Sequence, residues 1–121
     1  MPLKKTASEN ASNLTIRQAQ ERVDHWIETV GVRYFDPMTN FAQLVEEVGE
    51  VARILSRTCG EQSTKAGEDL GDLGDELADV LFVILCLANQ SNVDLGEALT
   101  RNLAKKNSRD ATRHLNNPKL Q

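Results

Sequence analysis

From Leu77 to Ala88 every residue is apolar except Asp79. A surface helix hides one stripe, whereas a helix that is apolar all round has to be surrounded by protein. Its longest unbroken part, Val80 to Ala88, is nine residues long, well short of the ~20 needed to span a bilayer. The segment is therefore predicted to be a helix of a soluble protein, with no membrane partner, and its apolar circumference, which a four-helix monomer cannot cover on every side, argues for a homodimer at least. Glu76 stands three residues before Asp79, and residues at that spacing share a helix face with Cβ atoms roughly 5–6 Å apart. Val83 and Leu87 continue that face, so the two carboxylates point toward protein. An unpaired carboxylate moved out of water costs on the order of several kcal/mol even after relaxation. Three compensations compete: a raised pKa, an internal salt bridge to Arg53 or Arg57, and a bound cation.

The chain has 121 residues, enough for one domain with one modest core. Only 4% of residues are aromatic and three are proline, which disfavours an all-β fold. Residues 1–13 are polar and aperiodic and are expected to fray. Thr15 and Gln18 read as a capping box, followed by Ala19, Val23, Trp26 or Ile27, and Val30 at helical spacing as far as Gly31. Asp36 and Pro37 start a second helix that runs to about Thr58 and stops at Gly60. Glu61 to Gly74 holds three glycines and no apolar period, and reads as a mobile loop placed to act as a lid. A third helix is expected over Asp75 to Gln90. Asp94 with Glu97 caps a fourth of about 15 residues, and Ser108 to Gln121 forms a polar tail. The fold class is all-α, a bundle of four helices.

Eighteen acidic against 14 basic residues give a net charge of -4, which argues against a nucleic-acid polymer as partner. Cys59 and Cys86 have no Cys-x-x-Cys spacing and are expected to be reduced, as in a cytoplasm. The N-terminus lacks the apolar core of a signal peptide.

On the second helix Gln43, Glu46, Glu47 and Glu50 fall within one arc, with Phe41, Leu44, Val48, Val51 and Leu55 opposite. Alone, that is the pattern of a solvated amphipathic helix. Beside Glu76 and Asp79, however, a second acidic pair disfavours neutral acids and makes a cation the best of the three compensations. Oxygen ligands without a usable His or Cys select Mg²⁺, with Mn²⁺ as a substitute, over zinc or copper. Gly49, costing roughly 1 kcal/mol in a helix interior, suggests close approach of a neighbouring helix or ligand. Leu95, Ala98 and Leu99 define an inward stripe on the fourth helix, and Asn102, Lys105, Lys106 and Arg109 continue it. Carboxylates, a divalent metal and cations together point to hydrolysis of a phosphate ester or anhydride.

The string Glu46-Glu47-Val48-Gly49-Glu50, followed after a loop by Glu76-Leu77-Ala78-Asp79, resembles the Glu-Glu-x-x-Glu … Glu-x-x-Asp signature of the all-α nucleoside triphosphate pyrophosphohydrolases. MazG-like proteins and the dCTP pyrophosphatases belong to that group. The resemblance covers residues 14–110, leaving 1–13 as a flexible segment and 111–121 as a polar tail. It implies a four-helix MazG-type fold assembling as a homo-oligomer, a homodimer or a dimer of dimers. It also implies Mg-dependent conversion of a nucleoside triphosphate to the monophosphate and pyrophosphate, in nucleotide-pool house-cleaning. By the same resemblance Glu47, Glu50, Glu76 and Asp79 bind the metal, and Lys105 and Arg109 contact the phosphates, with Lys106 and Asn102 beside them. Glu46 would orient or deprotonate the attacking water. Where many relatives carry an aromatic residue after that arginine, this chain has Asp110 and Ala111.

The base would need a partly apolar slot, for which Trp26, Tyr34, Phe35 and Phe41 are the available rings, Trp26 being the one best suited to the core. His25 reads as an ordinary helical histidine. A carboxylate-bridged di-iron bundle would need Glu-x-x-His pairs, which neither His25 nor His114 supplies. The remaining rival is a non-catalytic helical dimerisation module whose acids form a partner-recognition surface.

Overall fold

The structure, a computed structural model, describes residues 13–121. Of the segment expected to fray, residues 1–12 lie outside the described residues. Helices start where the chain supplies acceptors for otherwise unpaired N–H groups. Helix α1, Ile16–Trp26, opens on Thr15, whose hydroxyl accepts from the Gln18 N–H at 3.0 Å while the Gln18 side chain accepts from the Thr15 N–H at 2.8 Å. It widens into a π turn over Ile27–Gly31. Helix α2, Pro37–Thr58, starts at the expected pair although the Asp36 side chain makes no capping bond, so the proline ring alone presets its first turn. It stops short of Gly60, where a Cβ would sit 2.6 Å from the Ser56 carbonyl oxygen.

Helix α3, Leu73–Gln90, begins two residues earlier than expected, because the Asp72 side chain accepts from the Asp75 N–H at 3.0 Å and caps it there. Helix α4, Leu95–Asp110, opens on Asp94, which accepts from the Glu97 N–H at 3.1 Å. It extends into the region expected to be tail, and a 3₁₀ turn, Pro118–Leu120, follows. No strand occurs among the described residues, and no helix there is long and apolar enough to cross a membrane.

Helix α3 is central, lying along α2 and against α1, while α4 rests chiefly on α1. Val23 and Ile27 of α1 meet Leu85 and Cys86 of α3 in the core, with Ala19, Tyr34 and Leu95 packed around them. Burial pushes the Cys86 thiol up to about 11, and both cysteines are free. Helices α2 and α3 run antiparallel: Asn40 near the start of α2 donates to Gln90 at the end of α3 at 2.7 Å, and two turns along, Glu47 meets Glu76 and Asp79.

Four sequence expectations change. The inward arc of α2 is Asn40, Leu44, Glu47, Val51 and Ile54, while Phe41, Val48 and Leu55 stay substantially exposed. An apolar stripe reports where apolar residues are, and α3 meets a different arc. The inward face of α4 is also shorter than expected. Leu95 and Ala98 are half-buried, but Leu99 and then Asn102, Lys105, Lys106 and Arg109 are exposed, because a 16-residue helix about 24 Å long outruns its contact with α1. Gly49 is approached by nothing within 4 Å among the described residues. Finally, the loop between α2 and α3 is fastened rather than free: the Glu68 carboxylate accepts from the Lys65 N–H at 3.1 Å and from Arg53, with Arg57 at 3.9 Å. These contacts hold the Glu68 carboxyl below the usual carboxylate range.

Between α1 and α2 the chain makes a γ-turn of the rare kind. Val32 has φ 74° and ψ -58°, and the Arg33 N–H donates to the Gly31 carbonyl at 2.9 Å. A β-branched residue there is strained by about 1–3 kcal/mol. Val32 is 84% exposed, so its side chain gains no compensating burial. Val32→Gly is expected to raise stability by about 1 kcal/mol in urea denaturation, the relieved strain outweighing the added flexibility of the unfolded chain.

Candidate active site

Glu47 sits at the centre of the inward arc of α2, whereas Glu46 and Glu50 lie at its edge and are exposed. Opposite, Glu76 and Asp79 occupy the first turns of α3, where the apolar run begins. Carboxylate oxygens of Glu47, Glu76 and Asp79 lie within 4.8 Å of one another. The structure thus brings three of the four expected ligands together, with Glu50 beside that group but outside it.

Partial burial raises the Glu47 carboxyl above its ordinary value, and the charges of Asp79, Glu76, Glu50 and Glu46 raise it further. No salt bridge among the described residues involves any of these five acids. The two arginines able to neutralise them, Arg53 and Arg57, both turn to Glu68. An internal salt bridge is therefore excluded as the compensation among the described residues, and the donor set fits a hard divalent cation, which prefers oxygen ligands.

The expected phosphate ligands are elsewhere in the protomer. Asn102, Lys105 and Lys106 project from the exposed part of α4. Arg109 donates to Asp110 at 3.1 Å, which raises its pKa, and Arg113 reaches the same carboxylate at 3.5 Å. The departure noted at position 110 thus has a structural effect, since Asp110 occupies the Arg109 guanidinium.

One turn from the acids lies a pocket of about 170 Å³ between α1, α2 and α3. Its aromatic walls are Trp26, Tyr34, Phe35 and Phe82, and Asn40, Gln43 and Arg33 add polar groups. Gln43 is four residues before Glu47, and Phe82 and Val83 follow Asp79 by three and four, so helical geometry sets pocket and acids side by side. Trp26 is 46% exposed and is a pocket wall rather than core. It meets Phe82 edge to face at 5.7 Å between ring centroids. Tyr34 is fixed by donating to Asp24 and accepting from Asn89 at 2.9 Å. Burial, then the Asp24 bond, pushes its hydroxyl up to about 12, so it stays protonated.

Of the expected rings Phe41 is absent from the pocket lining, being half exposed on the outer side of α2. Phe82, Asn40 and Gln90 were not singled out by sequence reasoning. Phe82 carried a signal in its three-residue spacing from Asp79, and Asn40 in its seven-residue spacing from Glu47.

An all-α fold that gathers unbalanced carboxylates beside an aromatic pocket has the chemistry to hold a divalent cation next to a ring-bearing ligand. The model of the MazG nucleotide pyrophosphohydrolase domain matches residues 35–114, and the chain belongs to that family. It is 41% identical over 102 residues to the YpjD protein of Bacillus subtilis, covering 84% of this chain and 92% of that one. The YpjD crystal structure superposes with a TM-score of 0.72 at 39% identity, over 82% of this chain and 99% of that one. A MazG protein conserved in Bacillus, described as a nucleotide pyrophosphohydrolase, does so with a TM-score of 0.65 at 36% identity, over 80% and 94%. The protein is accordingly a hydrolase acting on phosphoric anhydrides.

Because the acids repel one another, an added divalent cation is expected to stabilise the fold. Thermal melts in EDTA and in millimolar Mg²⁺ or Mn²⁺ should differ by several degrees. Glu76→Gln and Asp79→Asn should lose that difference while melting in EDTA no lower than the parent, since each relieves repulsion. The sign in pH follows from the raised Glu47 carboxyl: its contribution favours the metal-free fold in acid and is lost as pH rises through the carboxylate range.

Proposed function

We propose that this protein is a Mg²⁺-dependent nucleoside triphosphate pyrophosphohydrolase, releasing the monophosphate and pyrophosphate in nucleotide-pool house-cleaning in the cytoplasm. The observation that carries this reading is the carboxylate trio of Glu47, Glu76 and Asp79, left without a cationic partner and set beside an aromatic pocket. Those three side chains would hold the ion, with Glu50 as a further ligand from the next turn of α2. When bound, Mg²⁺ supplies charge neutralisation for the phosphate chain and activation of water. Glu46, exposed beside Glu47 on α2, would orient the attacking water or take its proton. The pocket walls would hold the base and fix the triphosphate over the acids, lowering the entropic cost of attack. Residues 1–13 and 111–121 are taken as flanks of a catalytic domain spanning 14–110.

Lys105, Lys106, Arg109 and Asn102 serve in this reading as phosphate contacts contributed across a subunit boundary. What supports this is the unpartnered apolar surface that accompanies them. Val45, Val48 and Leu55 on α2, Leu77 and Leu81 on α3, and Leu99 and Leu103 on α4 are all 40% or more exposed. A chain that leaves its central helix partly uncovered is completed by a second copy, giving a homodimer or a dimer of dimers. Light scattering should return at least twice the mass of 13.4 kDa, and Leu81→Glu should shift the protein toward monomer.

Pyrophosphate release from a panel of ordinary and modified nucleoside triphosphates, with Mg²⁺ or Mn²⁺, tests the activity. At least one nucleotide should be turned over, and Glu50→Gln and Asp79→Asn, still folded by circular dichroism, should lose at least a hundredfold in rate. A panel that yields no pyrophosphate would favour the non-catalytic dimerisation module, for which metal is irrelevant.

A further inference from the structure

The pocket contains one buried amide whose orientation is fixed by a chain of hydrogen bonds. Gln90, the last residue of α3, donates from Nε2 to the Phe35 carbonyl at 2.9 Å. A carbonyl oxygen only accepts, so this contact decides which end of the Gln90 amide is nitrogen. Its Oε1 is then the end that faces Asn40, and it accepts from Asn40 Nδ2 at 2.7 Å. That contact in turn fixes Asn40, whose Oδ1 points away from Gln90.

Asn40 is only 4% exposed, and no donor among the described residues reaches its Oδ1. No side-chain oxygen or nitrogen of the described residues is both sealed from solvent and without a partner. The Asn40 Oδ1 is therefore not sealed, and Asn40 is one of the residues lining the pocket. A buried acceptor held in one orientation and left unmatched recognises a donor on the ligand.

We propose that Asn40, positioned by Gln90, is the specificity-determining residue of the base pocket and selects nucleotides whose base carries an exocyclic amino group on its pairing edge. This rests on the reading of the protein as a nucleoside triphosphate pyrophosphohydrolase. The class comprises cytosine-type bases, with the amino group at C4, and adenine-type bases, with it at C6; guanine carries a carbonyl at C6 and its amino group at C2, and falls outside it. Uracil and hypoxanthine place a carbonyl oxygen where those bases place the amino group, setting acceptor against acceptor, and their ring N–H meets Oδ1 only if the base shifts from the position the amino bases take. The other polar groups of the wall do not make this choice. Gln43 forms no side-chain hydrogen bond among the described residues and can turn either end of its amide to the ligand, and Arg33, tied by Nη1 to the Tyr34 carbonyl at 2.9 Å, offers donors only. The aromatic walls bind any base by stacking or edge contact, so they contribute affinity without discrimination.

The position of Asn40 along α2 agrees with this role. It lies seven residues before Glu47 on the same inward arc, about 10 Å along the helix, which sets the amide at the far end of the pocket from the acids. A nucleotide with its phosphates over Glu47, Glu76 and Asp79 would carry its base toward Asn40.

The test compares dCTP with dUTP and dATP with dITP, pairs that differ at the amino or carbonyl group, on the full-length protein with Mg²⁺. The kcat/KM ratio in each pair should favour the amino base by on the order of tenfold to a hundredfold, the scale of one unmatched buried hydrogen-bonding group. Asn40→Leu should bring the ratio close to one. Gln90→Leu, which leaves Asn40 in place but free to rotate, should also reduce it. A readout of overall stability would not separate amino from carbonyl substrates, so the ratio distinguishes this role from a structural one. Calorimetric binding of the same four nucleotides gives the ratio without turnover. Parity or a carbonyl preference in the parent protein overturns the proposal, as does an amino preference that survives in both variants. An amino preference in binding with no pyrophosphate released would instead overturn the hydrolase reading and leave the Asn40 assignment standing.

Discussion

Mutual repulsion among Glu47, Glu76 and Asp79 is the constraint around which the rest of the molecule is arranged. Like charges within 4.8 Å of one another are held there only because the surrounding apolar contacts insist on it. The antiparallel pairing of α2 and α3 supplies those contacts, and Ile54 and Val83 are buried close to the acids in sequence on either side. Arginines that would have relieved the strain are drawn off to Glu68, in a loop that the same two arginines fasten. An uncompensated electrostatic cost at one point and close packing around it are the two halves of a preorganised site, in which groups face the position where charge will arrive.

The helices were legible because their boundaries are local chemistry. Thr15 with Gln18, Asp36 with Pro37, and Asp94 with Glu97 each mark a start that needs no tertiary information, and all three were found where expected. Asp72 was the exception, since it lies among glycines and further acids that gave it no contrast. The meeting of Glu47 with Glu76 and Asp79 was also legible, because an acid inside the apolar run of α3 has to be compensated by something, whereas the place of Glu50 outside that group was not. Helix faces were harder to read. On α2 the sequence divides into an acidic arc and an apolar one with Phe41, Val48 and Leu55 opposite, whereas α3 packs on an arc between them that holds Asn40, Leu44, Glu47, Val51 and Ile54. A helix that carries a site turns polar groups inward and leaves apolar ones for another neighbour, so amphipathicity points to the wrong side where function resides.

The pocket was partly visible for the same reason. Trp26, Tyr34 and Phe35 could be named as rings without knowing where the turn between α1 and α2 would aim them. Phe82 was hidden within a run of equally apolar residues. Asn40 and Gln90 each looked like ordinary polar residues near a helix end, and their meaning arises only from the contact between them, across 50 positions of sequence. The basic end of α4 was misjudged because the spacing of Leu95, Ala98 and Leu99 says nothing about how far along the helix its neighbour extends.

The strained turn at Val32 separates two kinds of work. The acids stand on α2 and α3, which are locked by extensive mutual packing, while Trp26 at the end of α1 and Tyr34 and Phe35 after the γ-turn lie on one side of that pair. The wall of the pocket is therefore carried by a short length of irregular backbone, tied to α3 where Asn89 donates to the Tyr34 hydroxyl and Gln90 to the Phe35 carbonyl. Changes in that stretch can widen or narrow the opening without disturbing the acidic cluster. Such a division lets a lineage alter how large a ring the pocket admits while keeping one apparatus for cleaving the phosphate chain, so changes in pocket width are expected to concentrate between Trp26 and Asp36.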